Sequence, residues 1–149
     1  MLKLSTELLN AMLATGSLKS LLDTGKIYIY SGPTPASADA AIDPSSTLLV
    51  TITNNGTSTG LTFDGAVANG VIKKTGTETW SGTIGTSGTA VFYRYCVGTD
   101  NGSAAAVAGD YRVQGTIGLD ASYDLQLSSV SLVAANVQPI DSFQLYMQQ

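Results

Sequence analysis

Apolar residues recur at helical spacing at the start of the chain. Leu4, Leu8, Leu9, Met12 and Leu13 form one stripe, with Glu7 and Asn10 on the other side. Ser5 is placed to cap the start, and Gly16 to take the left-handed position after the end. A second, shorter stripe of Leu18, Leu21 and Leu22 follows Ser17, another capping residue, and stops at Gly25. Helices this short are not stable alone in water, so their apolar sides must rest on something. The pattern predicts an N-terminal helical hairpin over residues 1–25.

From Lys26 onward the period changes to two. Strands are expected at 26–31, 47–53, 60–64, 70–75, 77–82, 88–98, 110–118, 124–133 and 140–147. Alternation is clear in Leu125, Leu127, Val130 and Leu132, with one slip at Ser128-Ser129 that reads as a bulge. It is clear again in Ile140, Phe143, Leu145 and Met147. Turn clusters separate the runs: Asn54-Asn55-Gly56, Asp64-Gly65, Asn69-Gly70, Gly85-Thr86-Ser87-Gly88 and Asp100-Asn101-Gly102. No helical period returns, so the chain has no βαβ crossovers and its sheets must be antiparallel. Many short strands between Gly-rich turns predict a mainly-β fold, a sandwich or a barrel, over residues 26–149. Residues 32–46, which hold three of the four prolines, and 99–109 read as surface loops. With no internal repeat and no linker, the hairpin and the β domain form a single structural unit.

Composition adds an unusual surface. Only 12% of residues are charged, about half the ~25% of ordinary soluble domains. Hydroxyl and amide side chains take that place, which suits a surface largely covered by neighbours. A net charge of −4 with seven scattered basic residues is the wrong balance for phosphate, so nucleic acid is not an expected partner. No run approaches the ~20 apolar residues of a membrane span. Glu7, Asn10 and Lys19 interrupt any signal-peptide core, so synthesis and retention in a cytoplasm are expected until assembly. The lone Cys96 cannot form an internal disulfide, and its place in Val91-Phe92-Tyr93-Arg94-Tyr95-Cys96-Val97 is that of a buried, inert thiol.

Catalytic chemistry has little to work with. Histidine is absent, which removes the commonest general base and metal ligand together. Ser-His-Asp and Cys-His arrangements and thiolate–imidazole zinc sites are excluded by the same count. Carboxylates remain in Glu7, Glu78 and nine aspartates. Asp23, Asp43, Asp64, Asp100 and Asp120 sit among turn residues, where aspartate hydrogen-bonds its own backbone. Asp100, Asn101 and Asp110 in "TDNGSAAAVAGD" offer hard oxygens for calcium, but without EF-hand spacing the segment reads as an ordinary loop. Trp80, Tyr93, Tyr95 and Tyr111 are candidates for a sugar-binding face, although packing is the more ordinary use of such rings. No enzymatic role, cofactor or metal is expected.

The segments "LSTELLNAMLATGSLKSLLDTGKIYIYSGPTPASAD", "ETWSGTIGTSGTAVFYRYCVG", "RVQGTIG" and "DLQLSS…IDSFQL" together resemble a family of small structural proteins encoded among the head genes of tailed bacteriophages. The resemblance covers nearly the whole chain and rests on length and order, since none of these segments is a catalytic motif. It implies a virion protein, a capsid cement or decoration protein with a jelly-roll-like antiparallel β-sandwich. It implies the major capsid protein as partner, self-association as a dimer or trimer, and a place on the capsid surface. A neck, tail or spike position with a glycan- or receptor-binding role is the alternative.

The hairpin then has a second use. Leu4, Leu8, Leu9, Met12, Leu13, Leu18, Leu21 and Leu22 carry more apolar area than two short helices can hide on each other. Part of it is expected to meet a second subunit or the capsid, and the rest to cap the end of the β domain. On that reading, deleting residues 1–16 leaves the β domain folded and weakens assembly.

Overall fold

The structure, a computed structural model, describes residues 1–146, so Met147 of the last expected strand lies outside the described residues. The chain runs β1 (Lys3–Leu4), α1 (Thr6–Ala14), α2 (Leu18–Leu22), β2 (Lys26–Ser31), β3 (Thr47–Asn54), β4 (Val71–Lys73) and β5 (Trp80–Thr83). It continues through β6 (Gly88–Thr89), β7 (Phe92–Cys96), β8 (Arg112–Gly118), β9 (Leu125–Gln126), β10 (Ser131–Leu132), β11 (Val137–Ile140) and β12 (Gln144–Tyr146). The protein is mainly β with antiparallel sheets and both helices at its N-terminus, the class that the hydrophobic pattern predicts.

One large sheet organises the molecule, in the order β1-β8-β7-β2-β3-β5-β11, with β9 added in parallel to β8. Its inner face is built from rows of paired residues. Ile52, Ile27, Tyr95 and Val113 stand in one row, and Val50, Ile29 and Tyr93 in the next. A second, broken layer packs over this face as the other half of a sandwich: the ribbons β4–β12 and β6–β10, and the helical hairpin. Phe143, just before β12, is the hub of the contact. Its ring centroid lies 5.6 Å from those of Trp80 and Tyr93 and 6.2 Å from those of Phe63 and Tyr95.

The outer face of the same sheet is different in kind. Tyr28, Arg94 and Gln114 share one row, and Lys26, Cys96 and Arg112 the next. The two long loops expected at the surface lie over this face and bond to each other: the Ile42 N–H donates to the Ser103 carbonyl at 2.9 Å, and Ala106 to Asp39 at 2.8 Å.

Several local expectations change. The chain opens with a strand, because the extended Lys3–Leu4 pairs with Gln114 and Val113 on the edge of β8. Residues 60–64 form isolated bridges, Gly25 to Leu61 and Phe63 to Lys74, and no strand of their own. The run 124–133 is two strands in two sheets, and Ser128-Ser129 is where the chain changes from β8 to β6 as its partner. β11 lies mostly outside the expected runs because Pro139 masks it. It is an edge strand, bonded only to β5, where a residue without an N–H is tolerated. Gly16 does not take a left-handed conformation. That conformation falls instead on Thr24 (φ 71°) after α2, while Gly25 is required for space, since a Cβ there would overlap the Tyr95 ring.

Candidate functional site

The eight hairpin residues expected to form an interface divide in two. Leu8, Leu18 and Leu22 are buried in the same cluster as Ile27, Tyr95 and Phe143. Leu4, Met12 and Leu21 are half-buried and pack against it. All six serve the chain's own core, and for Leu8, Leu18 and Leu22 the expectation that they meet a partner is corrected, whereas Leu4, Met12 and Leu21 keep part of their surface exposed. Leu9 and Leu13, four residues apart on one face of α1, remain 44% and 89% exposed. The stripe in the sequence had merged two helix faces, and only docking on the sheet separates them.

That exposed pair sits on a firmly mounted helix. Leu8 and Ala11 are buried beneath it, and full burial of a leucine contributes roughly 1.5–3 kcal/mol. The Ser5 Oγ accepts from the Leu8 N–H at 3.3 Å as the cap, an interaction typically worth about 1 kcal/mol. Ser5 is itself buried: its Oγ donates to the Asp110 carbonyl at 3.0 Å and accepts from the Arg112 N–H at 3.0 Å. The Asp39 carboxylate accepts from the Thr6 N–H at 3.0 Å and the Thr6 hydroxyl at 2.8 Å. The first turn is thereby tied to β8 and to both long loops. The result is a rigid helix presenting two leucines outward.

Beneath the loops lies a polar cluster that the sequence reading did not single out. Arg94 is wholly buried and donates to the Gln114 Oε1 (2.9 Å) and to the carbonyls of Gly102 (2.5 Å), Ala40 (2.6 Å) and Ser37 (3.1 Å). Arg112, also buried, donates from Nε and Nη2 to the two Asp100 oxygens at 2.6 and 2.8 Å, and from Nη2 to Asp110 at 3.1 Å. Its Nη1 donates to the Ala104 carbonyl at 2.9 Å. Gln114 completes the set by donating to the Pro35 carbonyl at 2.8 Å. Two guanidinium groups thus hold two long loops to one sheet face, Arg94 through three carbonyls and Arg112 through two carboxylates and the carbonyls of Ala38 and Ala104.

Electrostatics follow from that burial. Desolvation lowers the Arg94 pKa, and the neighbouring Arg112 adds to the effect. Burial pushes Asp100 up, but the Arg112 guanidinium and the Gly102 N–H outweigh it and hold the carboxyl below its ordinary value. Burial beside Asp100 pushes the Cys96 thiol up, so it stays protonated and inert. Asp100 and Asp110, weighed as calcium ligands, direct their carboxylates at Arg112, and the guanidinium occupies the place a cation would take.

Three of the other carboxylates are clips. Glu78 accepts from the Thr62 N–H (2.9 Å), the Thr62 hydroxyl (2.8 Å) and the Trp80 indole N–H (2.8 Å). Asp124 accepts from the Thr116 N–H at 2.9 Å and from the terminal ammonium of Met1 at 3.0 Å. Asp23 binds Lys19 at 2.6 Å and the Phe63 N–H at 3.1 Å. Among the described residues, no three His, Cys, Asp or Glu side chains gather in a metal-holding group.

Trp80, Tyr93 and Tyr95 are in the core, and Tyr111 is half-buried against it, so these rings do not form an open sugar-binding face. The Tyr95 hydroxyl donates to the Leu22 carbonyl at 2.8 Å, whereas the Tyr93 hydroxyl is buried without a partner among the described residues. Burial pushes both phenols far above their ordinary pKa.

The buried arginines did leave a signal. Arg94 alternates with Tyr93 and Tyr95, and Arg112 and Gln114 flank Val113, so all three project from the opposite face. A strand with charge on one face and loops rich in Asp, Ala and Pro nearby is a buried-network pattern, legible only once the pairing of β7 with β8 is known. Comparison of the chain with protein-family models, characterised proteins and solved structures gave no match.

Proposed function

We propose that the chain is a non-enzymatic virion structural protein of the capsid cement or decoration kind, as its sequence resemblance implies. On this reading it attaches to the major capsid protein, or to a second copy in a dimer or trimer, through the Leu9–Leu13 ridge of α1. The observation that carries the reading is that ridge: two leucines held outward on a helix fixed from below, on a surface poor in charge. Other large apolar side chains are exposed as well, but these two are neighbours on one helix face, and contiguous exposed apolar side chains are candidates for a contact site. Burying the surface the two still expose contributes roughly 2–4 kcal/mol per subunit. Repetition over a lattice multiplies a modest contact into a large stabilisation of the shell.

The structure changes the experiment. Deleting residues 1–16 would remove Leu8 and Ser5 from the interior along with the ridge. The double substitution Leu9→Ser, Leu13→Ser takes away the ridge alone. Circular dichroism and the melting temperature should be unchanged. Co-sedimentation with purified heads, or self-association followed by light scattering, should weaken by roughly a hundredfold. Full binding by this variant overturns the assignment of the ridge. Copy number decides between sites on the particle: a shell protein stains in proportion to the capsid protein on a gel, and a neck, tail or spike protein in a few copies.

A further inference from the structure

Among the described residues, β9 bonds only to β8 and β12 only to β4, so no strand ladder of those residues joins the segments 119–128 and 139–146. Both segments line a cleft of about 520 Å³. A second hollow of about 510 Å³ continues it toward Leu2 and Leu18, with Tyr123, Asp124, Gln144 and Tyr146 common to the two.

The geometry points to this cleft as a binding site for a neutral saccharide. Tyr123 and Tyr146 line it and are 45% and 59% exposed. The Tyr123 ring is held in place: it lies against Gly118, where a Cβ would overlap it. The turn that carries it is braced by the Asp120 carboxylate, which accepts from the Ser122 N–H at 2.9 Å. A fixed, half-exposed ring offers its face to the C–H side of a pyranose. Exposed Ser128, Asp141 and Ser142 line the same cleft with hydroxyl and carboxylate oxygens for sugar hydroxyls. Gln144 accepts the Tyr146 hydroxyl at 3.0 Å and keeps its amide N–H groups for a ligand.

Charge selects the class of ligand. Asp124 and Asp141 line the cleft, and among the described residues no lysine or arginine does; Asp124 is paired with the Met1 ammonium, which leaves Asp141 as the unpaired charge. That balance favours a neutral hydroxylated ligand over phosphates and acidic sugars. The site is separate from the α1 ridge, so this inference and the structural role stand or fall independently.

The test is an array of neutral gluco-, galacto- and manno-oligosaccharides, with sialylated and phosphorylated glycans and an extended Thr-Val peptide beside them. The wild-type chain should retain at least one neutral oligosaccharide in preference to the acidic ones. Tyr123→Ala and Tyr146→Ala should each weaken that binding by about tenfold, with the native circular dichroism spectrum retained. Tyr123→Phe, which keeps the ring, should bind nearly as wild type. Gly118→Ala, which displaces the ring without removing it, should behave as Tyr123→Ala. Failure to hold any neutral glycan, a preference for acidic ones, binding of the peptide alone, or alanine variants that bind as wild type would each overturn the inference.

Discussion

Replacing Asp100 by asparagine keeps the shape of the side chain and removes its charge from beside a buried guanidinium. In the native protein its two oxygens accept from Arg112 at 2.6 and 2.8 Å, and the paired side chains are 9% and 1% exposed. An amide in that place accepts one of those bonds and turns an N–H toward the cation. Removing one partner of a buried pair costs about 3–5 kcal/mol. Asp110, at 3.1 Å from the same guanidinium, offsets part of that, so the expected loss is about 2–4 kcal/mol. For a chain of this size each kcal/mol moves the midpoint by about 2–4 °C, giving a drop of about 5–15 °C at pH 7. The measurement is calorimetry or urea unfolding of both proteins, with limited proteolysis of residues 97–111 as the local readout. The folded-state pKa of Asp100 is lowered from 3.8. Its contribution is therefore complete above that value and lost as pH falls through the lower folded value, because the unfolded chain binds the proton first. The two unfolding curves should accordingly approach each other in acid. A difference under about 0.5 kcal/mol at neutral pH, or one that persists undiminished in acid, refutes the view that this ion pair holds the loop down.

Two further perturbations probe the interior. Gly25→Ala should cost about 2–3 kcal/mol in urea unfolding, because a Cβ there overlaps the Tyr95 ring and comes within 2.8 Å of the Cys96 carbonyl oxygen; a neutral substitution would show that the turn has slack. Cys96 should react with an aromatic disulfide reagent at least about a hundredfold more slowly than an exposed thiol, and rapidly once urea is added. Labelling of the native protein at an ordinary rate would contradict its burial.

These experiments bear on a molecule with two unlike sheet faces. The inner face is held by non-directional apolar contact, which tolerates rearrangement. The outer face is held by directional bonds from Arg94, Arg112 and Gln114 to loop carbonyls, which specify one arrangement of two long loops. Asp39 and Ser5 extend that arrangement to the first turn of α1, so the helix that carries the exposed leucines is tied to the loops at its start.

Local pattern determined a good deal by itself. The change of period at Lys26, the helical hairpin before it, the two long loops and the antiparallel mainly-β class are all written in near-neighbour spacing. The absence of histidine closed off much catalytic chemistry from composition alone. What tertiary structure decided are the matters that depend on which strands meet. The pairing of β7 with β8 brings Arg94 and Gln114 into one row, and the fold of the second long loop delivers Asp100 and Asp110 to Arg112. Docking of α1 on the sheet separates buried Leu8 from exposed Leu9 and Leu13, which one apolar stripe had merged. The rings of Trp80, Tyr93 and Tyr95 turn inward because Phe143, far along the chain from all three, packs against them. Hydrophobic period records which face a side chain takes relative to its own strand, whereas burial and pairing depend on partners remote in sequence, and those are chosen only when the layers close.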